Sequence, residues 1–197
     1  MIKKLKLILI IIFYIYQTSA NSKTTDKKDF NPKYLSNYLS AIILQNNQNT
    51  EDSLKYFNLS KNLINEHEGF LKKYIVTLTI NGEVRKSINV INKNRNISNF
   101  FEANLLLIVD NFKKREFEKN IELLNEFEKY RDYGDYQYII YEVLKSYNDL
   151  FLTKELSLKN KDFGKLSLIN EAFQYCYLNE NATNSKFKNL INSDEGD

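Results

Sequence analysis

From about Tyr34 to about Asn179, apolar residues recur at three- and four-residue steps, the period of helices with one buried face. The runs come in pairs. Tyr34 to Asn46 is followed by Thr50 to Asn65, where Asn49 or Thr50 is placed to cap the second helix and Glu51 and Asp52 suit its first turn. Phe70 to Ile80 and Glu83 to Asn92 form a second pair, broken at Asn81-Gly82, where both residues tolerate left-handed backbone. Ser98 to Lys113 and Glu116 to Glu128 form a third. Asp135 to Leu152 and Phe163 to Tyr177 form a fourth, less regular pair across a polar connection at Ser157 to Asp162. Residues 180–197 read as a short cap or flexible tail, with about one turn at Phe187 to Ile191. A cap that short suggests a truncated relative of a longer array. One segment competes with this scheme: Val76 to Val84 alternates, is rich in β-branched residues and centres on Asn-Gly, which predicts a tight β-hairpin as the second reading there.

Superimposing the pairs exposes a repeat. Ser53, Ser87 and Asn120 stand 34 and 33 residues apart, each followed at once by an aliphatic residue, with Phe57, Ile91 or Leu124 three further on. A helix–turn–helix unit of about 34 residues is the tetratricopeptide period. The chain resembles tetratricopeptide repeat (TPR) proteins, most closely the signal-peptide-bearing ones of alphaproteobacteria. Asn37-Tyr38-Leu39-Ser40-Ala41, followed by Ser53-Leu54-Lys55-Tyr56-Phe57, is similar to an opening repeat. Ala41 falls at the family's small position in the first helix, Gly82 at its inter-helix glycine, and Ser53 and Ser87 at the small position of the second helix. Ile75 and Ile108 depart from the first of these and Arg115 from the second. The likeness is good from Tyr34 to Phe127 and loose beyond.

The resemblance implies an all-α fold, a right-handed α-solenoid of about four helix pairs over 34–179, divided as 34–66, 67–97, 98–130 and an irregular 135–179. It also implies a groove lined by the first helices. By register its lining is Tyr38, Ile42, Gln45 and Asn46, then Lys72, Val76 and Thr79, then Leu105, Val109 and Lys113. Such a groove binds a peptide segment of another protein: apolar anchors supply affinity, and Gln, Asn and Lys fix register.

Residues 1–20 stand apart from this scheme. Lys3, Lys4 and Lys6 precede the apolar run Leu7 to Tyr16, and Thr18-Ser19-Ala20 offers small residues before Asn21, the layout of a secretory signal peptide cleaved after Ala20. The apolar run is ten residues long, where a membrane span needs roughly 20. The expectation is export to a bacterial periplasm, with an uncleaved N-terminal membrane anchor as the alternative. Residues 21–33 read as a disordered polar lead-in. Without the leader the charge changes: 28 Lys and Arg face 25 Asp and Glu in the whole chain, and three of the lysines sit in the leader. The remainder is neutral and has no basic cluster, which excludes a nucleic-acid partner.

Residues with chemical potential are few. His67 is the only histidine; it lacks companions for zinc or a catalytic triad and reads as a surface residue at a helix C-terminus. Cys176, the lone cysteine, reads as a small buried hydrophobe. Glu116/Glu118 and Glu126/Glu128 lie among lysines, as on a solvated helix face. No catalytic residue, cofactor or metal is expected. The tyrosines 130, 133, 136, 138, 141 and 147 with Phe151 suit either a helical core, the preferred reading, or a sugar- or peptide-binding surface. The alternatives to a scaffold are therefore a membrane-attached structural or oligomerisation element and, more remotely, a glycan-acting helical enzyme using a carboxylate pair.

Overall fold

The computed structural model describes residues 31–128, 135–157 and 163–192. The leader and its cleavage site, residues 21–30 of the lead-in, Tyr130, Tyr133, residues 158–162 of the connection and residues 193–197 of the tail lie outside the described residues. Among the described residues all regular structure is helical: α1 Pro32–Asn46, α2 Thr50–Leu59, the 3₁₀ helix η1 Lys61–Asn65, α3 Glu68–Ile80, α4 Val84–Lys93, α5 Phe101–Lys114, α6 Lys119–Phe127, α7 Asp135–Thr153, α8 Lys165–Tyr177 and α9 Thr183–Asn192. The protein is all-α.

Local chemistry accounts for several of these bounds. Pro32 opens α1, and the Asn31 side chain accepts the Lys33 N–H at 3.0 Å. At α2 the Asn49 side chain accepts the Asp52 N–H at 3.3 Å. The β-hairpin reading of Val76 to Val84 is overturned. Leu71, Tyr74, Ile75 and Leu78 are all buried, three or four residues apart, so a helical face outweighs the alternation. The threonines adapt to it, because Thr77 and Thr79 each donate their hydroxyl to the carbonyl four residues back, at 2.9 Å.

The three leading hairpins end their first helices in one way. Gln48, Gly82 and Arg115 have φ of 61°, 77° and 61°, and the next residue's N–H reaches back five positions to Leu44, Leu78 and Asn111, at 2.9 Å in each case. This double closure of a helix terminus satisfies carbonyls that would otherwise lack a donor. Five residues beyond each turn, the second helix touches the first in one way too. Ser53 Oγ donates to the Ala41 carbonyl at 2.7 Å, Ser87 Oγ to Ile75 at 3.2 Å, and Asn120 Nδ2 to Ile108 at 3.4 Å. All three donors have no exposed surface. Turn and cross-link thus recur together at steps of 34 and 33 residues.

Two apolar clusters fill the space between helices. Tyr38, Phe57, Phe70 and Tyr74, with ring centroids 5.4–6.0 Å apart, dominate the first. Ile75, Ile91, Phe101, Ile108 and Phe127 belong to the second. Ile64 and Val90 pack against both. Further along, the turn type returns at Asn179, with φ 56° and a Glu180 N–H bond to Tyr175 at 3.0 Å. It joins α8 to α9, where the sequence expectation pairs Asp135 to Leu152 with Phe163 to Tyr177. The C-terminal element is also fuller than the single turn expected, running from Thr183 to Asn192. α7 is tied to α8 through buried Gln174, whose Nε2 donates to Ser146 Oγ at 2.6 Å and whose Oε1 accepts the Ser157 N–H at 2.8 Å.

Candidate partner-binding surface

The ten residues assigned to a groove by register divide into three groups. Tyr38 and Thr79 are engaged within the fold. Tyr38 is buried between Phe57, Phe70 and His67, because an aromatic ring at that register fills the first cluster and leaves nothing for a partner. Thr79 turns toward α4, its Oγ1 bonded to the Ile75 carbonyl at 2.9 Å and 3.1 Å from Ser87 Oγ. Ile42, Gln45, Val76 and Leu105 are half-buried. Ile42 and Leu105 pack on the core clusters, and Gln45 Nε2 donates to Thr77 Oγ1 at 2.9 Å, joining α1 to α3. Asn46, Lys72, Val109 and Lys113 are exposed; Lys72 pairs with Glu102 at 2.8 Å, joining α3 to α5.

Val109 and Lys113 come together with residues that register alone did not nominate. A cleft of about 490 Å³ opens between α4 and α5. Its apolar part is Val84 and Ile88, one helical turn apart on α4, facing Leu106 and Val109 on α5. Val84 is 40% exposed and Val109 50%. Arg85 and Lys113 flank this strip, and among the described residues neither has an ion-pair partner. Lys114, also lining it, is held by Asp110, whose hydrogen bond raises the lysine pKa. The signal that would have found the cleft is the sharp division of Val84 to Lys93 into apolar and charged faces, which exceeds what one buried stripe needs.

A second recess of about 300 Å³ lies where the third hairpin meets α7 and α8, lined by Phe112, Arg115, Phe117, Phe151, Lys154 and Tyr177. Lys154 occupies much of its chemistry: Nζ donates to the Tyr177 hydroxyl at 2.6 Å and lies 5.0 Å from that ring's centroid and 6.0 Å from that of Phe117. Among the tyrosines of this region, Tyr141 is buried, Tyr138 and Tyr147 are half-buried, and Tyr136 is exposed.

The remaining candidates change position. His67 precedes α3 and so stands at a helix N-terminus, where the expectation had a C-terminus. It is exposed, and its ring meets Tyr38 edge-on at 4.7 Å. Cys176 is exposed, correcting the buried reading; Ala172 and Gln174 take the interior positions of α8 instead. Glu116 pairs with Lys119 at 2.9 Å and Glu126 with Arg95 at 3.3 Å. Among the described residues no three His, Cys, Asp or Glu are grouped as metal ligands, and no helix is long and apolar enough to cross a membrane. In comparisons with known proteins, no family model, curated protein or solved structure matches the chain significantly.

Proposed function

We propose that this protein is a non-enzymatic scaffold, a right-handed α-solenoid of TPR-like repeats that holds a peptide segment of another protein. The observation that carries this reading is the recurrence, at 34 and 33 residues, of the same turn at Gln48, Gly82 and Arg115 and the same cross-link at Ser53, Ser87 and Asn120. Repeated hairpins stacked in one register form extended surfaces suited to extended or helical segments. The binding face comprises Ile42, Asn46, Val76 and Leu105 and continues to Val109 and Lys113. Its place of action is the cell envelope, reached through the leader, which is removed after Ala20.

The test is crosslinking of the full chain in its own cell envelope, followed by identification of what is captured. Ile42→Ser and Val76→Ser remove apolar anchors without burying a charge, and each is expected to weaken capture by roughly tenfold while helicity is retained. Equal capture by both variants refutes the first-helix face. Mass spectrometry of the processed N-terminus checks export. A chain still carrying Met1 to Ala20 would favour a membrane-attached element instead.

A further inference from the structure

We infer that the cleft between α4 and α5 is the site that selects the partner, and that it takes an acidic amphipathic peptide segment. This rests on the scaffold reading above and adds to it a location and a charge. Three observations carry it. In the apolar strip, Val84 and Val109 are open to solvent and Ile88 and Leu106 form a half-buried floor on the core, and exposed apolar side chains gathered at a cleft mark a surface awaiting cover. Arg85 and Lys113 approach it from opposite helices, and both are exposed without an ion-pair partner among the described residues. The other charges at the cleft, Asp110 and Lys114, neutralise each other. A segment that covers the strip therefore meets a net positive rim, and one carrying Glu or Asp beside its apolar anchors satisfies both requirements.

The spacing agrees with a short segment. Val84 and Ile88 lie one turn apart on α4, and Leu106, Val109 and Lys113 follow three- and four-residue steps on α5. Each helix therefore presents a row of side chains along one wall of the cleft. A phosphate-bearing ligand fits less well: two unpaired cations are few for a nucleic-acid backbone, and the cleft has no aromatic side chain on which a base would stack.

The test uses the full exported chain and a display library of random peptides of about a dozen residues. Parallel measurements use vesicles of phosphatidylglycerol. Recovered peptides should be enriched in Asp and Glu next to Leu, Ile or Phe. The double variant Arg85→Glu/Lys113→Glu should weaken them by at least roughly tenfold, as should Val109→Ser, while Ile191→Ser, exposed on α9 away from the cleft, retains them. These substitutions fall on exposed positions, and unchanged circular dichroism verifies the fold. Peptides without acidic bias, or unaltered binding by the double variant, overturn the inference. Vesicle binding that the double variant abolishes, with no peptide recovered, overturns it in favour of a lipid surface. Peptides lost only in the Ile42 and Val76 variants overturn the cleft and leave the scaffold standing. Recovery of nothing by the unaltered chain, with no vesicle binding, overturns both.

Discussion

Replacing Ser53, Ser87 and Asn120 one at a time by alanine tests whether the three hairpins are built to one plan. Ser53→Ala removes a 2.7 Å bond to the Ala41 carbonyl. A bond of this kind contributes about 1 kcal/mol net, and alanine returns about 0.5 kcal/mol of helix propensity, so the expected loss is about 0.5 kcal/mol. Ser87→Ala should cost still less. The Ile75 carbonyl keeps the Thr79 hydroxyl at 2.9 Å, and the expected change is about zero. Asn120→Ala is different. Its Oδ1 accepts from Asn111 Nδ2 at 2.9 Å while its Nδ2 donates to the Ile108 carbonyl. Truncation opens a void and removes the Asn111 partner, so the expected cost is about 2 kcal/mol. Leucine at Ser53 or Ser87 supplies the reverse strain. Both positions have no exposed surface, with a neighbouring helix carbonyl at 2.7 and 3.2 Å, so the hairpin must open, at about 3 kcal/mol. Urea unfolding followed by circular dichroism measures the series. The reasoning fails if either leucine variant stays within about 0.5 kcal/mol of the unaltered chain, the range of an ordinary surface change, or if Asn120→Ala proves milder than Ser53→Ala.

Other expectations follow from single sites. Gln48 and Arg115 hold left-handed backbone at φ 61°, so Gln48→Gly and Arg115→Gly should each stabilise the fold by about 1 kcal/mol; a lower denaturation midpoint for both would contradict this. Gly82→Ala should destabilise by a similar amount, about 1 kcal/mol, although nothing lies within 4 Å of the added methyl, because φ is 77°. Burial, with Glu83 adding to it, pushes the Tyr74 hydroxyl pKa up to about 12 from 10.0. The neutral phenol is favoured in the fold, so this stabilisation is present below about pH 10 and is lost as pH rises through about 12. Stability should fall across that window by about 2 kcal/mol more in the unaltered chain than in Tyr74→Phe, and parallel curves for the two would refute it. Exposed Cys176 should react in the native chain with a soluble thiol reagent at a rate close to that of a free thiol; reaction only after unfolding would place it inside.

What the chain discloses in advance depends on how local each cause is. The turn at Gly82 is legible because Asn-Gly names it, whereas those at Gln48 and Arg115 are hidden: a longer side chain sits in the same left-handed geometry, held by the closing bonds around it. Val76 to Val84 looks like a hairpin because its strand-like alternation is local, and what overrides it is distant, the partners that bury Tyr74, Ile75 and Leu78. The register of Ser53, Ser87 and Asn120 survives translation into space intact. The side chains assigned to a groove divide, since register says which side of a helix a residue occupies and not what already stands there. Tyr38 is filled in by Phe57 and Phe70, and Thr79 is drawn to Ser87. The cleft needs two helices at once: the two-faced run Val84 to Lys93 signals one wall, and the other, on α5, is seen only once the helices are placed together. Cys176 is misjudged because polar Gln174 takes the interior position through bonds to Ser146 and Ser157.

Among the described residues, Ile64 and Val90 are the partly buried side chains that touch both apolar clusters. Together with α3, which gives Leu71 and Ile75 to one cluster and Phe70, Tyr74 and Leu78 to the other, they couple the two. In a nearest-neighbour description of such a chain, their truncation lowers the interfacial energy and leaves the units' intrinsic energies in place. The expected outcome is a loss of cooperativity: melting broadens or divides, and the amide protons of residues 32–65 exchange more independently of those beyond Phe101.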